Sequence, residues 1–252
     1  MNIDLRDRVI LVTGASGGIG KAAAKYLARC GATIAVHYNQ SAQHAKKLVL
    51  EIGNKARVFQ ADLSKPPSCI RLFKRVLNAY KKIDALVNNA GIYDYSPISK
   101  DSNEWLSDWN RTITTNLTST AVLCREAIKH FRKTGGGRII NIASRSAFRG
   151  DDKDHLAYAA AKGGMVALSK SIARAYGKDN IKSFVVAPGY VRTRMTDAFF
   201  KRHEQALVSK ELALNRVTEP EDIAPTIVFL VSGLMDHATG CSIDINAGSY
   251  VR

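Results

Sequence analysis

Short runs rich in Val and Ile alternate with amphipathic stretches of helical period from one end of the chain to the other. Strands are predicted over 9–13, 33–38, 56–61, 85–88, 138–143, 182–187 and 242–245. Helices are predicted over 19–29, 41–52, 67–80, 156–176 and 220–230, with a long helical stretch over 103–132 broken near Thr115. The strand segments do not alternate polar with apolar, as expected when helices cover both faces of a parallel sheet. Strand–helix–strand units repeated in this way close right-handed and build a doubly wound sheet. The 252 residues carry no internal repeat, linker or break in composition, so one Rossmann-like α/β domain over 1–252 is predicted.

Composition removes several classes of function. With 46% hydrophobic and 23% charged residues the chain has the material for a core, and global disorder is excluded. Its longest apolar runs fall far short of the ~18 residues a membrane helix needs. The N-terminal residues are charged early and lead straight into a strand, unlike a signal peptide. The cysteines Cys30, Cys69, Cys124 and Cys241 lack metal-ligand spacing, so no metal site is expected, and the compartment is read as reducing and cytoplasmic. A net charge of +15 raises nucleic acid as a partner. The basic residues are nevertheless spread along the chain. The densest group is Arg125, Lys129, Arg132, Lys133 and Arg138, whose first three members fall on one helix face. That group reads as a solvated stripe or a dock for an acidic partner, and neither a nucleic-acid motif nor an aromatic-basic patch accompanies it.

Three motifs carry chemistry. Thr13-Gly14-Ala15-Ser16-Gly17-Gly18-Ile19-Gly20 joins the first strand to the first helix. Glycines there permit a tight turn, and the helix N-terminus offers free N–H groups to a pyrophosphate. Asn88-Asn89-Ala90-Gly91 follows the fourth strand, where open α/β sheets bind ligands. Tyr158 and Lys162 stand four apart on a predicted helix, hence on one face, with Ser144 upstream. An ammonium beside a phenol is expected to draw the tyrosine pKa down from about 10.

With these residues in this order, joined by Asn116 and Pro188-Gly189, the chain resembles the short-chain dehydrogenases/reductases over essentially its whole length. The resemblance is strongest to the 3-oxoacyl-acyl-carrier-protein reductase type. It implies an NAD(P)-dependent oxidoreductase interconverting a carbonyl and a secondary alcohol, with Asn116, Ser144, Tyr158 and Lys162 as the catalytic set. Tyr158 would be the general acid or base, and Lys162 would lower its pKa and hold the nicotinamide ribose. Ser144 would orient the substrate oxygen, and Asn116 would support a proton-relaying water. Cofactor contacts would come from Gly14, Ser16, Gly18, Ile19, Gly20, His37, Asn39, Ser41, Asp62, Leu63, Asn89, Ala90 and Gly91. Tyr158, Lys162, Pro188, Gly189, Val191 and Thr193 would complete them. No Asp or Glu stands after the second strand to take a ribose 2′-hydroxyl, which favours NADP over NAD; His37, Asn39 and Ser41 would hold the 2′-phosphate.

The segment 193–215, with Met195, Phe199 and Phe200, is expected to be a substrate lid. The substrate would be a small carbonyl or alcohol, free or bound to a carrier protein or coenzyme A, and the protein a homodimer or homotetramer. Arg132 and Lys133 match a place where acyl-carrier reductases receive their acidic carrier. Arg145 and Arg149 stand where such reductases carry small or apolar residues and would recognise an anionic substrate or else face solvent or an interface, and the charged loop 150–154 argues against a greasy acyl tunnel at the pocket mouth. A sugar, polyol or hydroxysteroid dehydrogenase is the alternative within the family. A dinucleotide-binding sensor or scaffold is the non-enzymatic alternative, disfavoured because all four catalytic residues are present.

Overall fold

The computed structural model describes residues 3–197, 200 and 210–252. Seven strands form one parallel sheet in the order β3-β2-β1-β4-β5-β6-β7. They are β1 (Val9–Val12), β2 (Thr33–Tyr38), β3 (Arg57–Gln60), β4 (Ala85–Asn88), β5 (Gly137–Ile142), β6 (Ile181–Pro188) and β7 (Ser242–Ile245). Successive side chains point to opposite faces. Thus Ile10, Val12, Ile34, Val36, Ile140 and Val186 pack on helices α1 (Gly18–Arg29), α2 (Ala42–Ile52) and α8 (Pro220–Ser232). Leu11, Ala35, Phe59, Leu86 and Ile139 pack on α3 (Pro66–Tyr80), α5 (Ser119–Thr134) and α7 (Leu156–Tyr176). Both faces of the central strands are therefore buried, which is why their sequences read as unbroken apolar runs.

Between α4 (Ser102–Ile113) and α5 the chain does not break near Thr115 as expected; it continues through one π-helical turn, Thr114–Thr118. A short helix α6 (Ser146–Arg149), absent from the sequence reading, follows β5. Asp101 caps α4 by accepting from the N–H groups of Asn103 and Glu104, and Gly135 ends α5 in the left-handed region.

The basic group is divided by the fold. Arg138 lies on β5 and makes a bidentate pair with Asp236, at 2.8 and 2.7 Å, rather than joining a surface stripe. Arg125 and Lys129 face Glu126, and Arg132 faces Asp179.

The strand order reverses between β1 and β4, so a crevice opens at their carboxyl ends. The glycine turn, Asn89, Ser144 and the Pro188 segment all leave the sheet at that edge.

Candidate active site

The glycine turn is built by hydrogen bonds that the sequence order does not display. Gly14 sits at φ +63° and donates its N–H to Nδ1 of His37 at 3.0 Å. Since Nδ1 accepts, Nε2 carries the proton and faces the Ala61 carbonyl at 3.1 Å. Burial holds His37 neutral, its pKa lowered to about 4, with the Ala61 bond opposing. Its ring is 2% exposed and both nitrogens are engaged, so it shapes the turn and does not reach a phosphate, a correction to the expected contact. Thr13 straps the two loops together. Its hydroxyl oxygen accepts from the N–H groups of Asn89 and Ala90 at 2.9 and 3.0 Å, while the Asn89 amide donates to the Thr13 carbonyl at 2.9 Å. A Cβ on Gly20 would lie 2.4 Å from that amide nitrogen and 2.6 Å from the Gly14 carbonyl oxygen, so glycine is required there.

This arrangement fits a dinucleotide. Helix α1 begins behind Gly17 with no side-chain cap among the described residues, and a Cβ on Gly17 would meet nothing within 4 Å. Free N–H groups at a helix start thus face open space, next to Ser16 and Ile19. Thr193 reaches the turn from the opposite side, its methyl 3.1 Å from where a Cβ on Gly18 would be. It arrives there because Pro188 ends β6 in register with Ile245 and Gly189 leaves the sheet, while Val191 bridges to Thr218. Of the residues expected around the adenine and ribose, Asn39 is exposed, and Ser41 starts α2 with its hydroxyl unused as a cap. Asp62 is partly open, its carboxyl held low chiefly by the Ser64 hydroxyl. The side chains of Leu63 and Val191 are buried in the core, so those two positions would meet a ligand through their backbone.

Tyr158 and Lys162 share one face of α7, with Nζ 5.5 Å from the phenol ring centre. Lys162 is buried and donates to the Ile142 carbonyl at 2.7 Å, which pins it beneath the end of β5. Gly91 marks where the loops converge: a Cβ there would stand 3.1 Å from Asn116 Oδ1 and 3.7 Å from Lys162 Nζ. The Asn116 amide accepts from the Ile92 N–H at 2.8 Å and donates to the Ile92 carbonyl at 2.9 Å. It sits in the π turn, a common device for aiming a functional residue out of a helix. Ser144 accepts from the Ser146 N–H at 3.1 Å and donates to the Ser146 hydroxyl at 3.1 Å, and its hydroxyl acts on Tyr158. The expected drop in the tyrosine pKa is not what the protein shows. Burial pushes Tyr158 up to about 12, the Ser144 hydroxyl acting the other way, and burial also lowers Lys162 to about 8. Desolvation disfavours the charged form of each group and is the largest cause for both.

Two aromatic neighbours were not legible from the sequence. Tyr93 meets Tyr158 edge-on, with ring centres 4.8 Å apart, and stacks on His155 at 3.8 Å. Its hydroxyl donates to Asp151 at 3.1 Å, and burial raises its pKa. No motif flags these residues, because loops 93–96 and 151–155 meet only in the folded chain. Of the expected lid, residues 198–199 and 201–209, including Phe199, lie outside the described residues. Met195 is exposed, and Phe200 is buried against Val217, Tyr190 and Leu212.

A family model described as enoyl-(acyl carrier protein) reductase matches residues 14–249. The chain belongs to the short-chain dehydrogenase/reductase family. It is 33% identical over 254 residues to 3-oxoacyl-acyl-carrier-protein reductase FabG of Aquifex aeolicus (strain VF5), covering 99% of this chain and 100% of that one. Among solved structures it is similar to a short chain dehydrogenase from Burkholderia cenocepacia J2315 in complex with NADP, at 31% identity and a TM-score of 0.88, covering 97% of this chain and 98% of that one. It is likewise similar to a putative gluconate dehydrogenase from Agrobacterium tumefaciens, at 32% identity and a TM-score of 0.91, with all of both chains covered. The dehydrogenase/reductase is an NAD(P)-dependent oxidoreductase.

Proposed function

We propose that this dehydrogenase/reductase uses NADPH to reduce a carbonyl to a secondary alcohol, with Tyr158 as the proton donor. The observation that carries this reading is the convergence of Tyr158, Ser144, Lys162 and Asn116 beside the Gly14–Gly20 turn. When bound, the nicotinamide supplies the hydride; the side chains supply geometry and the proton. Ser144 presents its hydroxyl to the substrate oxygen, and the Tyr158 phenol delivers a proton to that atom as negative charge develops on it. A phenol pushed up to about 12 is fully loaded at neutral pH, which suits reduction. Lys162 lies where its ammonium can follow the proton and hold ribose hydroxyls. Asn116 fixes the Gly91–Ile92 backbone next to it. The pyrophosphate would rest on the α1 N-terminus and the loops of Asn89, Ala90 and Gly91, under Pro188, Gly189 and Thr193.

NADP is favoured over NAD by the missing acidic residue after β2 and by the α2 N-terminus, where exposed Asn39 and the free Ser41 hydroxyl can receive a 2′-phosphate. The NADP bound in the Burkholderia relative supports the same choice. Fluorescence titration tests it: NADPH should bind at least tenfold more tightly than NADH, and equal affinities would overturn the assignment.

For the substrate, the relatives' names favour a 3-oxoacyl thioester. The wall of Tyr93, His155 and Asp151 beside Tyr158 favours a small polar molecule, as in the sugar and polyol reading. A homodimer or homotetramer would form on the groove of 1030 Å³ between α5 and α7, where Ile128, Leu168 and Ile172 are framed by Arg125 and Arg132. No described helix is long and apolar enough to cross a membrane, and the cytoplasm is the proposed location.

A further inference from the structure

The residue after Ser144 is a buried arginine. Arg145 is 5% exposed, with its guanidinium 3.9 Å above the Tyr190 ring. It donates to the Ser249 carbonyl at 3.4 Å and to Glu211 Oε2 at 3.3 Å. Arg149, one helical turn on, approaches the same Oε2 at 3.5 Å and keeps 38% of its side chain exposed. Two cations thus converge on one carboxylate oxygen. This is not the geometry of a pair optimised for stability. The Arg138–Asp236 pair of the same protein is bidentate at 2.8 and 2.7 Å, whereas Glu211 is held by long contacts on a single oxygen and is 42% exposed. A buried guanidinium needs an anion, and the planar fork of arginine is best met by a carboxylate presenting both oxygens. The cluster is joined to the reacting centre through the chain: Arg145 directly follows Ser144, and two residues after Arg149 Asp151 accepts from Tyr93, whose ring meets Tyr158.

We propose that Arg145 and Arg149 form a carboxylate-binding subsite of the substrate cleft, and that Glu211 occupies it as an internal competitor. The substrate class is then an oxo or hydroxy acid, its carboxylate on the arginines and its carbonyl oxygen between Ser144 and Tyr158. This rests on the carbonyl-reduction reading of that site. Glu211 would swing to solvent as the substrate carboxylate arrives.

Acetoacetate and its ethyl ester serve as charged and neutral probes. Each is titrated calorimetrically into the NADP-loaded full-length protein, and each is tested for NADPH oxidation. Arg149 and Glu211 are partly exposed, so R149Q and E211Q are the variants of choice. In R149Q the acid-to-ester ratio of kcat/KM should fall about tenfold or more, through KM, the loss expected for a charged hydrogen bond. In E211Q acetoacetate should bind several-fold more tightly while the ester does not. The subsite is overturned if acetoacetate does not bind the wild type, if R149Q weakens both probes equally, or if E211Q weakens acetoacetate. Reduction of the ester without these effects refutes the subsite and leaves the carbonyl-reduction reading standing. Failure to reduce either probe counts against that reading itself.

Discussion

Replacing Lys162 by methionine should abolish turnover and stabilise the fold. Burial lowers the ammonium from 10.5 to about 8, a difference of 2.5 pH units. At 1.36 kcal/mol per unit, keeping Lys162 charged in the folded protein costs about 3 kcal/mol below pH 8. Methionine fills the space without a charge but leaves the Ile142 carbonyl without its donor, a loss of about 1–2 kcal/mol. The net expectation at pH 7 is a gain of about 1–2 kcal/mol. The sign follows from proton counting. Because the folded pKa is depressed, the unfolded chain binds more protons between about 8 and 10.5, so wild-type stability rises with pH through that window. The variant lacks this rise, and its advantage should shrink by about 2 kcal/mol between pH 7 and 9.5. Urea unfolding at several pH values measures the difference, and NADPH oxidation measures the loss of activity. If K162M is less stable than wild type at pH 7, or if the difference does not vary with pH, then Lys162 is not held under desolvation strain and the argument fails.

Tyr158→Phe should lower turnover by roughly 10²–10⁴-fold with NADPH affinity retained, because it removes the proton donor alone; activity within tenfold of wild type would remove Tyr158 from the chemistry. In the reverse direction, alcohol oxidation should accelerate steadily as pH rises toward 10, since the phenol must first lose a proton held to about 12. Gly20→Ala should weaken NADPH binding at least tenfold, because its methyl would fall 2.4 Å from the Asn89 amide and break the strap to Thr13; calorimetric titration with NADPH would expose an intact site. Acid should destabilise the fold as pH drops from 6.5 toward 4. Over that range the unfolded chain protonates His37 while the folded one, lowered to about 4, does not, a loss approaching about 3 kcal/mol. His37→Gln should lose most of that slope, keeping the part due to His130, whose pKa burial also lowers, and an undiminished wild-type slope in the variant would assign it elsewhere.

Much of the fold was legible in the sequence because a two-sided sheet writes its burial into consecutive residues. Apolar runs such as Val9–Val12 and Ala85–Val87 need no partner to be recognised as strands. The glycine turn and the Tyr158–Lys162 spacing are local for the same reason: each lies within one loop or one helix. An irregularity near Thr115 was legible, but its form was not: the helical period on either side does not tell a break from one widened π turn. His37 was misjudged on similar grounds. Its place at the end of β2 put it beside the cofactor loop, but whether its ring points outward or beneath Gly14 depends on the sheet face it occupies.

The sequence by itself determined the sheet, the order of the loops along its edge, and the residue types able to move a proton. Those properties depend on neighbours a few positions apart. The tertiary structure alone decided the electrostatics. It set how deeply Tyr158 and Lys162 lie, which reversed the expected shift of the phenol, because desolvation is contributed by every element packed around a group. It also brought Tyr93 against Tyr158, and Glu211 against Arg145 and Arg149. Contacts between residues 62 or more positions apart in the chain leave no local signature, and here they set the surroundings of Tyr158 and of Arg145.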